Sequence, residues 1–480
     1  MKKRRDFIKM SGLAGVSFAY LKGLKAFGDN QSVGNMYPSS PQTFNMSGYA
    51  APKLDIVRVG IIGLGNRGPW HTRLMTMMEG VEIRAICDVR PERANLVKQH
   101  LQKSGHTPAL YTGGKDDWKK LCERSDIDLV ILTTPWYMHN EMSIFAMMHG
   151  KHVASEVIVG TTVEECWALV ETAEKTKRHC MMLENYAYSS FQLLTLNMAR
   201  KGFFGDVIHA DCAYNESKLH NNFTKGFYWD MWWLKQYGSR HGNIYPTHGL
   251  GPVSQIMNIN RGDRFDYLVS VESNDFMMKQ KAEELAKTDD FYKPFTKMDY
   301  RGNINTSTIR TVNGRTIVVQ HDGTSPRLHT VIHGIYGTNG SAIEQPYPAK
   351  LSFGLPENWG SIRKYNWLNE EETKELTEKY KPEILRRMGD LARDSGHGGS
   401  DLLIDWRLID CLRNGLPLDQ DVYDAAALSA VLPLSAWSVN NRSNSVSIPD
   451  FTRGAWKTNL PNMDIELEKG GTTGVKKTEW

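Results

Sequence analysis

The chain has 480 residues, more than one ordinary hydrophobic core accommodates, and this length predicts two domains with appended segments. Hydrophobic residues make up 40% and charged residues 23%, which is typical of a globular protein. The formal net charge is +4, but residues 1–28 alone carry +6, so the rest of the chain is close to −2. Because the rest of the chain is slightly negative and has no basic stripe, nucleic-acid binding is excluded as the main function.

The N-terminal segment has the pattern of an export signal. Arg4-Arg5 and two preceding lysines stand before an apolar run from Met10 to Tyr20 that is too short to span a bilayer. Paired arginines are typical of the twin-arginine pathway, which exports folded, cofactor-loaded proteins. We predict a signal peptide over residues 1–28, recognised by the twin-arginine export machinery, and a periplasmic protein without stable membrane insertion. An ordinary secretory signal or a disordered basic start is the alternative.

Two further features follow from composition. Residues 29–53 are rich in Ser, Asn, Pro and Gly and predict a linker. No other segment approaches the length of a membrane span.

The cysteines lack CxxC pairs and metal-ligand spacing, and they predict free buried thiols. They are Cys87, Cys122, Cys166, Cys180, Cys212 and Cys411.

A glycine-rich turn joins the first predicted strand to the first predicted helix. The β-branched run from Ile56 to Ile62 stops at Gly63-Leu64-Gly65-Asn66-Arg67-Gly68. Such glycines let a pyrophosphate approach the backbone at a helix N-terminus. The next strand ends in Asp88, about 20 residues past the last glycine, where a carboxylate accepts ribose hydroxyls and repels a 2′-phosphate. The pattern predicts NAD as cofactor, and Arg90 nearby leaves NADP as the alternative.

Strands and helices continue to alternate through the first domain, which we place at residues 54–187. Strands are predicted at residues 128–135, 151–156 and 179–185, with a helix at 164–175. This alternation predicts an α/β, doubly wound parallel sheet with ligands at the carboxyl ends of its strands. Polar and aromatic side chains stand at or after such ends: Trp136, His139, Glu156 and Asn185.

The rest of the chain is predicted to form a second domain at residues 188–458. Its predicted strands lie at residues 267–274, 307–312, 316–321 and 330–337, and its predicted helices at 370–394, 400–412 and 422–438. The stretch 400–412 has an amphipathic pattern. Residues 459–480 form a C-terminal tail, which we expect to be disordered from residue 466 onward.

Thr134-Pro135-x-x-x-His139, followed by a strand that ends in Glu156, resembles the Gfo/Idh/MocA oxidoreductases. The resemblance implies a Rossmann domain and a C-terminal α+β domain whose open, largely antiparallel sheet forms the substrate site. Family members usually read Glu-Lys-Pro at the second motif, and their lysine assists hydride transfer. This chain reads Glu156-Val157-Ile158, which argues against an ordinary sugar dehydrogenase.

A closer resemblance covers residues 58–456. The block Tyr245-Pro246-Thr247-His248-Gly249-x-Gly251-Pro252, with Glu184-Asn185 and the late Asp450-Phe451-Thr452-Arg453-Gly454-x-Trp456, is similar to glycoside hydrolase family 109. This resemblance implies an NAD-dependent α-N-acetylgalactosaminidase. With the loop glycines Gly63, Gly65 and Gly68, the implied NAD contacts are Asn66, Arg67, Asp88, Trp136, Tyr137, Met138, His139, Glu156, Val157 and Asn185. The implied sugar site is Tyr214, Trp233, Tyr245, Pro246, Thr247, His248 and His329.

Two sugar-facing positions depart from the family pattern. The resemblance leads us to expect Arg and Tyr where the chain has Trp233 and His329. These departures affect the prediction of which sugar is bound, but not the prediction of the type of glycosidic linkage. N-acetylgalactosamine is the default sugar. Trp229 and Trp232 add aromatic faces of the kind that stack on sugars, although core packing explains them equally well.

A hydrolase that holds a dinucleotide can cleave a glycoside without two opposed carboxylic residues. Transient oxidation at C3 acidifies the C2 proton, its loss expels the C1 substituent, water adds, and reduction restores the sugar and a tightly held NAD. We predict His248 as the proton acceptor for the C3 hydroxyl, with Tyr245 beside it. The base at C2 stays open among Tyr186, Tyr188 and Tyr214.

Two other functions compete with this prediction. A net sugar oxidoreductase of the Gfo/Idh/MocA type would accumulate NADH, and a non-catalytic sugar- or NAD-binding protein would turn nothing over. We expect no metal, because no histidine pair has helix-face ligand spacing beside a carboxylate. The partner is a small-molecule glycoside, and an open sheet leaves a homo-oligomer possible.

Overall fold

A computed structural model describes residues 36–354 and 366–476. The predicted signal peptide lies outside these residues. Two sheets, one in each predicted domain, organise the described chain.

The first sheet has six parallel strands in the order β3-β2-β1-β4-β5-β6. The strands are β1 (Val57–Ile62), β2 (Val81–Cys87), β3 (Ala109–Tyr111), β4 (Leu129–Leu132), β5 (His152–Ser155) and β6 (Cys180–Met182). The helices between them are α1 (Gly68–Thr76), α2 (Pro91–Lys103), α3 (Asp117–Cys122), α4 (Trp136–Met148) and α5 (Val163–Thr176). The order reverses between β1 and β4, and this switch point opens a crevice at the carboxyl edge.

Steric contacts explain the glycines at this crevice. Gly63 has φ +92°, and a Cβ there would lie 2.9 Å from the backbone of Thr133. A Cβ at Gly68 would lie 1.9 Å from the carbonyl oxygen of Gly63. Helix α1 therefore begins against the end of β1 only because both positions lack a side chain.

The second sheet has eight strands in the order β13-β12-β11-β7-β10-β9-β8-β14. They are β7 (Val207–Asn215), β8 (Phe265–Glu272), β9 (Ile304–Thr311), β10 (Thr316–Asp322), β11 (Thr330–Gly337), β12 (Gly340–Ile343), β13 (Lys350–Phe353) and β14 (Val446–Ser447). Strands β7 and β10 pair in parallel, and the other described neighbours pair antiparallel. The predicted fold class is confirmed.

Nine helices of the described chain accompany this sheet. They are α6 (Ser190–Arg200), α7 (Leu219–Phe223), α8 (Trp232–Tyr237), α9 (Thr247–Ile256), α10 (Met278–Ala286), α11 (Glu370–Tyr380), α12 (Glu383–Ala392), α13 (Ser400–Asn414) and α14 (Val422–Asn440). Short 3₁₀ turns occur at Asn185–Tyr188, Trp229–Met231, Asp290–Lys297, His397–Gly399 and Ala455–Lys457. Pro382 divides the predicted helix at 370–394 into α11 and α12.

Two long helices of the second domain lie inside the protein. Residues 400–412 are buried on every side, so the predicted amphipathic pattern of this helix is wrong: α13 packs against both α1 and α12. Helix α14 is apolar and, at 19 residues, long enough to cross a membrane, so the expectation that no segment after the N-terminus approaches this length is wrong. Since 83% of its most apolar window is buried within the protein, α14 serves as a core helix.

Both ends of the described chain pack on the core. Trp167 donates its indole N–H to Met36, and the backbone N–H of Met46 donates to the hydroxyl of Tyr423. At the other end, a carboxylate oxygen of Asp410 accepts the backbone N–H of Gly471 at 2.6 Å. The expected disorder of the tail is therefore wrong for residues 466–476. All six cysteines are free and buried, as predicted.

Candidate functional site

A cleft of about 440 Å³ lies between the carboxyl edge of the first sheet and the second domain. Gly63, Gly65 and Asp88 line one end, and Tyr214 and Lys218 line the other. The cleft is continuous, so a ligand held by the Rossmann domain would extend directly to side chains of the second domain.

Asp88 shapes the dinucleotide end of the cleft. One carboxylate oxygen accepts the backbone N–H of Leu64 at 2.6 Å, and the other accepts the N–H of Arg90 at 2.9 Å. Arg90 also pairs with this carboxylate through its guanidinium. The open glycine turn, the N-terminus of α1 and a nearly buried acid at the end of β2 together fit a dinucleotide.

His139 links two loops in the wall of the cleft. Its ring nitrogens lie 2.7 Å from the carbonyl oxygens of Thr134 and Ile158, at the ends of β4 and β5. Burial lowers the pKa of His139, and the bonds to the carbonyl oxygens of Ile158 and Thr134 oppose that shift. His139 lines the cleft together with Trp136, Met138 and Val157. Its two hydrogen bonds hold together the loops that follow β4 and β5.

Arg67 lies in a buried network of charges near the end of β5. Its guanidinium donates to Glu156 and, at 3.0 and 3.1 Å, to both oxygens of Asp401. Asn185 donates to Asp401 at 2.7 Å, and His397 lies 2.9 Å from the same carboxylate. Burial favours a raised pKa for Glu156, but Arg67 and His71 together outweigh it and lower that pKa well below its usual range. Glu156 is therefore a carboxylate at the centre of the cleft.

His71 extends this network into the second domain. Its Nε2 lies 2.9 Å from Glu156 and its Nδ1 lies 2.8 Å from Asp405 of helix α13. A neutral imidazole can donate to one of these carboxylates, whereas an imidazolium can donate to both. Burial alone would lower the pKa of His71, but the attraction of Asp405 and the bond to Glu156 raise it to about 10. His71 is therefore a buried cation at neutral pH.

A row of three side chains lies where the cleft meets the second domain. His248 sits in the first turn of α9, and its Nδ1 is 2.9 and 3.0 Å from the two carboxylate oxygens of Glu184. Its Nε2 is 3.1 Å from the hydroxyl of Tyr245. Burial raises the pKa of Tyr245 well above its usual value, so this phenol stays protonated. Tyr245 and His248 line the cleft, with Glu184 behind them.

Tyr214 anchors a second polar cluster on strand β7. Its hydroxyl donates to Glu216, whose carboxylate also pairs with Lys218 at 2.6 Å. The ring of His329 lies 5.7 Å from that of Tyr214, and burial lowers the pKa of His329. Tyr214 and Lys218 line the cleft, whereas His329 contacts the ring of Tyr214 from outside the cleft lining.

Aromatic rings form one wall between these clusters. Trp136 stacks on Tyr245 with ring centroids 5.5 Å apart, and Trp233 lies 4.6 Å from Trp136. Tyr228 stacks on Trp233 at 5.3 Å. Trp233 thus occupies a place in the wall with an apolar face, where the family pattern leads us to expect a cation.

The structure brings most of the predicted residues to this cleft. Five of them lie off its surface: Gly68, Tyr137, Pro246, Thr247 and His329. Thr247 is fully buried in α9, and Gly68 is required for packing rather than for contact. Among residues 36–354 and 366–476, no three His, Cys, Asp or Glu side chains form a group that could hold a metal ion.

Sequence reasoning gave no role to several polar residues of the site. They are His71, Glu184, Glu216, Lys218, Asp401 and Asp405. Local signals existed: His71 lies one helical turn after Arg67, and Asp401 and Asp405 share a helix face at i, i+4. Such spacing marks a common face, but it does not say which distant residue that face meets.

Two family models match the two halves of the chain. The oxidoreductase family with an NAD-binding Rossmann fold matches residues 57–184, and the C-terminal domain of glycosyl hydrolase 109 matches residues 188–458. A glycosyl hydrolase family 109 protein of Shewanella pealeana is 43% identical over 464 residues, 95% of this chain and 98% of the relative. The chain belongs to glycosyl hydrolase family 109. It is an NAD-dependent glycosidase with a Rossmann domain for its cofactor.

A second relative supports this membership, and solved structures share the fold. An α-N-acetylgalactosaminidase of Shewanella oneidensis is 42% identical over 466 residues, 95% of this chain and 98% of that one. Levoglucosan dehydrogenase in complex with NADH has a TM-score of 0.63 at 16% identity, over 82% of this chain and 99% of that chain. A scyllo-inositol dehydrogenase from Lactobacillus casei has a TM-score of 0.57 at 14% identity, over 83% and 100%. At such low identity these two structures show the shared fold.

Proposed function

We propose that this family 109 glycosidase cleaves α-linked N-acetylgalactosamine by transient oxidation at C3, deprotonation at C2 and elimination at C1. The observation that carries the proposal is the Tyr245–His248 pair at the junction of the dinucleotide cleft and the second domain. A proton acceptor at that junction would be within reach of both a nicotinamide held by the first domain and a sugar held by the second. When bound, NAD supplies the hydride acceptor for C3 and returns the hydride later in the cycle.

Tyr245 and His248 handle the proton of the C3 hydroxyl. The phenol of Tyr245 remains protonated because burial raises its pKa, so it contacts the sugar hydroxyl as a neutral partner. Its own proton passes to Nε2 of His248 at 3.1 Å as it takes the sugar proton. The pair therefore moves one proton away from C3 without placing a charged base against the sugar.

Tyr214 is the C2 proton acceptor in this proposal: its own proton passes to the carboxylate of Glu216 as its oxygen takes the C2 proton. Of the three tyrosines left open by the sequence, Tyr214 lines the cleft, and its hydroxyl donates to the carboxylate of Glu216. Tyr188 instead donates to Asp419, at 2.9 Å, in the core. Tyr186 packs on His248 with ring centroids 4.6 Å apart and supports that ring.

The choice of sugar draws on the named relative from Shewanella oneidensis. Trp233 lines the cleft at one of the two positions that depart from the family pattern, and His329, at the other, contacts the ring of Tyr214. A panel of aryl glycosides that differ at C2 and C4 measures how far these two residues alter the preference. N-acetylgalactosamine is expected to give the highest kcat/KM.

Hydrolysis in deuterium oxide tests the mechanism. Elimination removes the C2 proton, so the first sugar released is expected to carry deuterium at C2 by nuclear magnetic resonance. The same sugar incubated without enzyme controls for spontaneous exchange. Full retention of protium at C2 would show direct displacement at C1 and reject the elimination.

We further propose that the protein is exported to the periplasm as a folded, NAD-loaded enzyme. The support is the paired Arg4-Arg5 before an apolar run, in the part of the chain that precedes the described residues. Replacing both arginines by lysine is expected to retain the protein in the cytoplasm. Unchanged export of that variant would favour an ordinary secretory signal.

A further inference from the structure

Glu184 lies at the carboxyl end of the Rossmann sheet, two residues after β6, and is fully buried. One carboxylate oxygen accepts the backbone N–H of Tyr186 at 3.1 Å. Both oxygens lie within hydrogen-bond distance of Nδ1 of His248. Burying a carboxylate costs free energy unless the group is paired. The contacts of Glu184 therefore account for an acid at this buried position.

The glycines of the Tyr-Pro-Thr-His block make this contact possible. A Cβ at Gly251 would lie 2.5 Å from Cγ of Glu184, and a Cβ at Gly249 would lie 2.9 Å from the backbone nitrogen of Ala213 on β7. Helix α9 is therefore pressed between β7 and Glu184, with its histidine turn against the carboxylate. The two sequence motifs, 64 residues apart, form one structural unit.

From this geometry we infer that Glu184 is a positioning residue that fixes the tautomer and orientation of the His248 ring. Nδ1–H donates to Glu184, which leaves the lone pair of Nε2 facing the hydroxyl of Tyr245. In the other tautomer, Nε2 would carry a proton and could not accept one from Tyr245. After proton transfer, the carboxylate also stabilises the imidazolium. The inference rests on the proposed role of His248.

A consequence is that the proton acceptor is assembled across the two domains. Glu184 belongs to the Rossmann domain and His248 to the second domain. The imidazole is therefore oriented correctly only when the domains are docked over the cleft. A cofactor bound in the first domain and a sugar bound in the second thus meet an acceptor that requires both.

Glu184→Gln tests this role kinetically, because its amide can turn its NH₂ toward Nδ1 and reverse the tautomer. We expect kcat to fall about 10²-fold or more, with KM within about threefold and NAD content unchanged. Glu184→Asp is expected to recover part of the loss. Glu174→Gln is the matched control, because Glu174 is equally buried but pairs with Tyr423 and Arg453 away from the cleft. Loss of thermal stability in Glu184→Gln with kcat unchanged per folded molecule would overturn the inference.

A spectroscopic measurement separates this inference from the proposed function. Nitrogen-15 resonances of labelled histidine report which ring nitrogen carries the proton, and His248→Ala identifies the signal. We expect the Nδ1–H tautomer in the wild-type protein and its loss in Glu184→Gln. An Nε2–H tautomer in the wild type would overturn the positioning role, whatever sugar the enzyme cleaves. A silent glycoside assay with the Nδ1–H tautomer would instead reject the proposed substrate alone.

Discussion

The ring of His248 is enclosed by groups of three kinds: the carboxylate of Glu184, the phenol of Tyr245 and the face of Tyr186. Each removes a degree of freedom from the imidazole. The carboxylate selects the tautomer, the phenol occupies the accepting nitrogen, and the ring contact limits rotation. A histidine so restrained is ready to accept a proton without reorganisation, which is how enzymes gain rate from preorganised groups.

His248→Ala is expected to leave NAD bound and to reduce turnover by about 10²- to 10⁴-fold, the range for loss of a proton acceptor. NAD content after gel filtration and aryl alcohol release are the two measurements. His209→Ala is the control, because His209 is partly exposed on β7 and bonds to Thr316 away from the cleft. Full activity of His248→Ala would contradict its assignment.

Asp88→Ala is expected chiefly to weaken NAD retention. Its carboxylate holds the backbone of Leu64 in the glycine turn and pairs with Arg90, so its loss loosens the pyrophosphate turn and leaves a cation unpaired. The NAD remaining after extensive dialysis is the measurement, and Asp126→Ala, on an exposed pair with Arg124, is the control. Unchanged NAD content would contradict the ribose argument from the sequence.

Helices α1 and α13 join the domains through charged side chains. Arg67 and His71, at the start of α1, meet Asp401 and Asp405, one turn apart on α13. Glu156, from the end of β5, contacts both basic groups. Removing one partner of such a buried network leaves an uncompensated charge, which typically costs about 3–5 kcal/mol. The same contacts border the cleft, so docking of the domains and shape of the cofactor site are coupled.

The charge on His71 predicts an alkaline loss of stability. Its folded pKa is about 10, above the ordinary value of 6.5, so its contribution is complete below pH 6.5 and is lost as pH rises through about 10. The free energy of unfolding is expected to fall more steeply between pH 8 and 10 in the wild type than in His71→Gln. His333→Gln is the control, because burial lowers the pKa of His333 to about 3 and keeps it neutral throughout. If the free energy of unfolding fell with the same slope above pH 8 in the wild type and in His71→Gln, the buried imidazolium would be contradicted.

Helix α9 offers a test of its own packing. Gly251→Ala places a methyl group 2.5 Å from Cγ of Glu184, so the carboxylate or the helix must shift, and kcat is expected to fall at least about tenfold. Gly389→Ala is the control: apart from its chain neighbours and the backbone of its own helix, no described atom lies within 4 Å of the added Cβ, and alanine in a helix interior stabilises by about 0.5–1 kcal/mol. Wild-type kcat in Gly251→Ala would show that the glycine is not required by Glu184.

At the scale of the molecule, two sheets with different pairing rules face one cleft. The parallel sheet supplies the dinucleotide turn at its switch point, and the mixed sheet supplies Tyr214 from its central strand β7. Neither sheet alone carries both the dinucleotide turn and the proposed proton acceptors. This division explains how a fold shared with sugar dehydrogenases can serve a family of glycosidases.

The sequence predicted those parts of the molecule whose signals are local. The strand at Val81–Cys87, the glycine turn and the Tyr-Pro-Thr-His block are short patterns with one steric meaning each. Strands β3, β12, β13 and β14 have two to four residues, too few for a periodicity to show, and were not predicted. Strand β7 has nine residues but was not predicted either, because its buried residues run on from Cys212 to Asn215 instead of alternating. The Arg67–Asp401 contact joins residues 334 apart and follows only from the tertiary fold.

The most direct test of the account uses the purified protein, an aryl α-N-acetylgalactosaminide, and simultaneous recording of aryl alcohol and reduced nicotinamide. We expect many turnovers of aryl alcohol release with no net accumulation of reduced nicotinamide. Reduced nicotinamide that rises one-for-one with product, or hydrolysis that continues undiminished after NAD is stripped from the protein, would contradict a redox-neutral, NAD-dependent glycosidase.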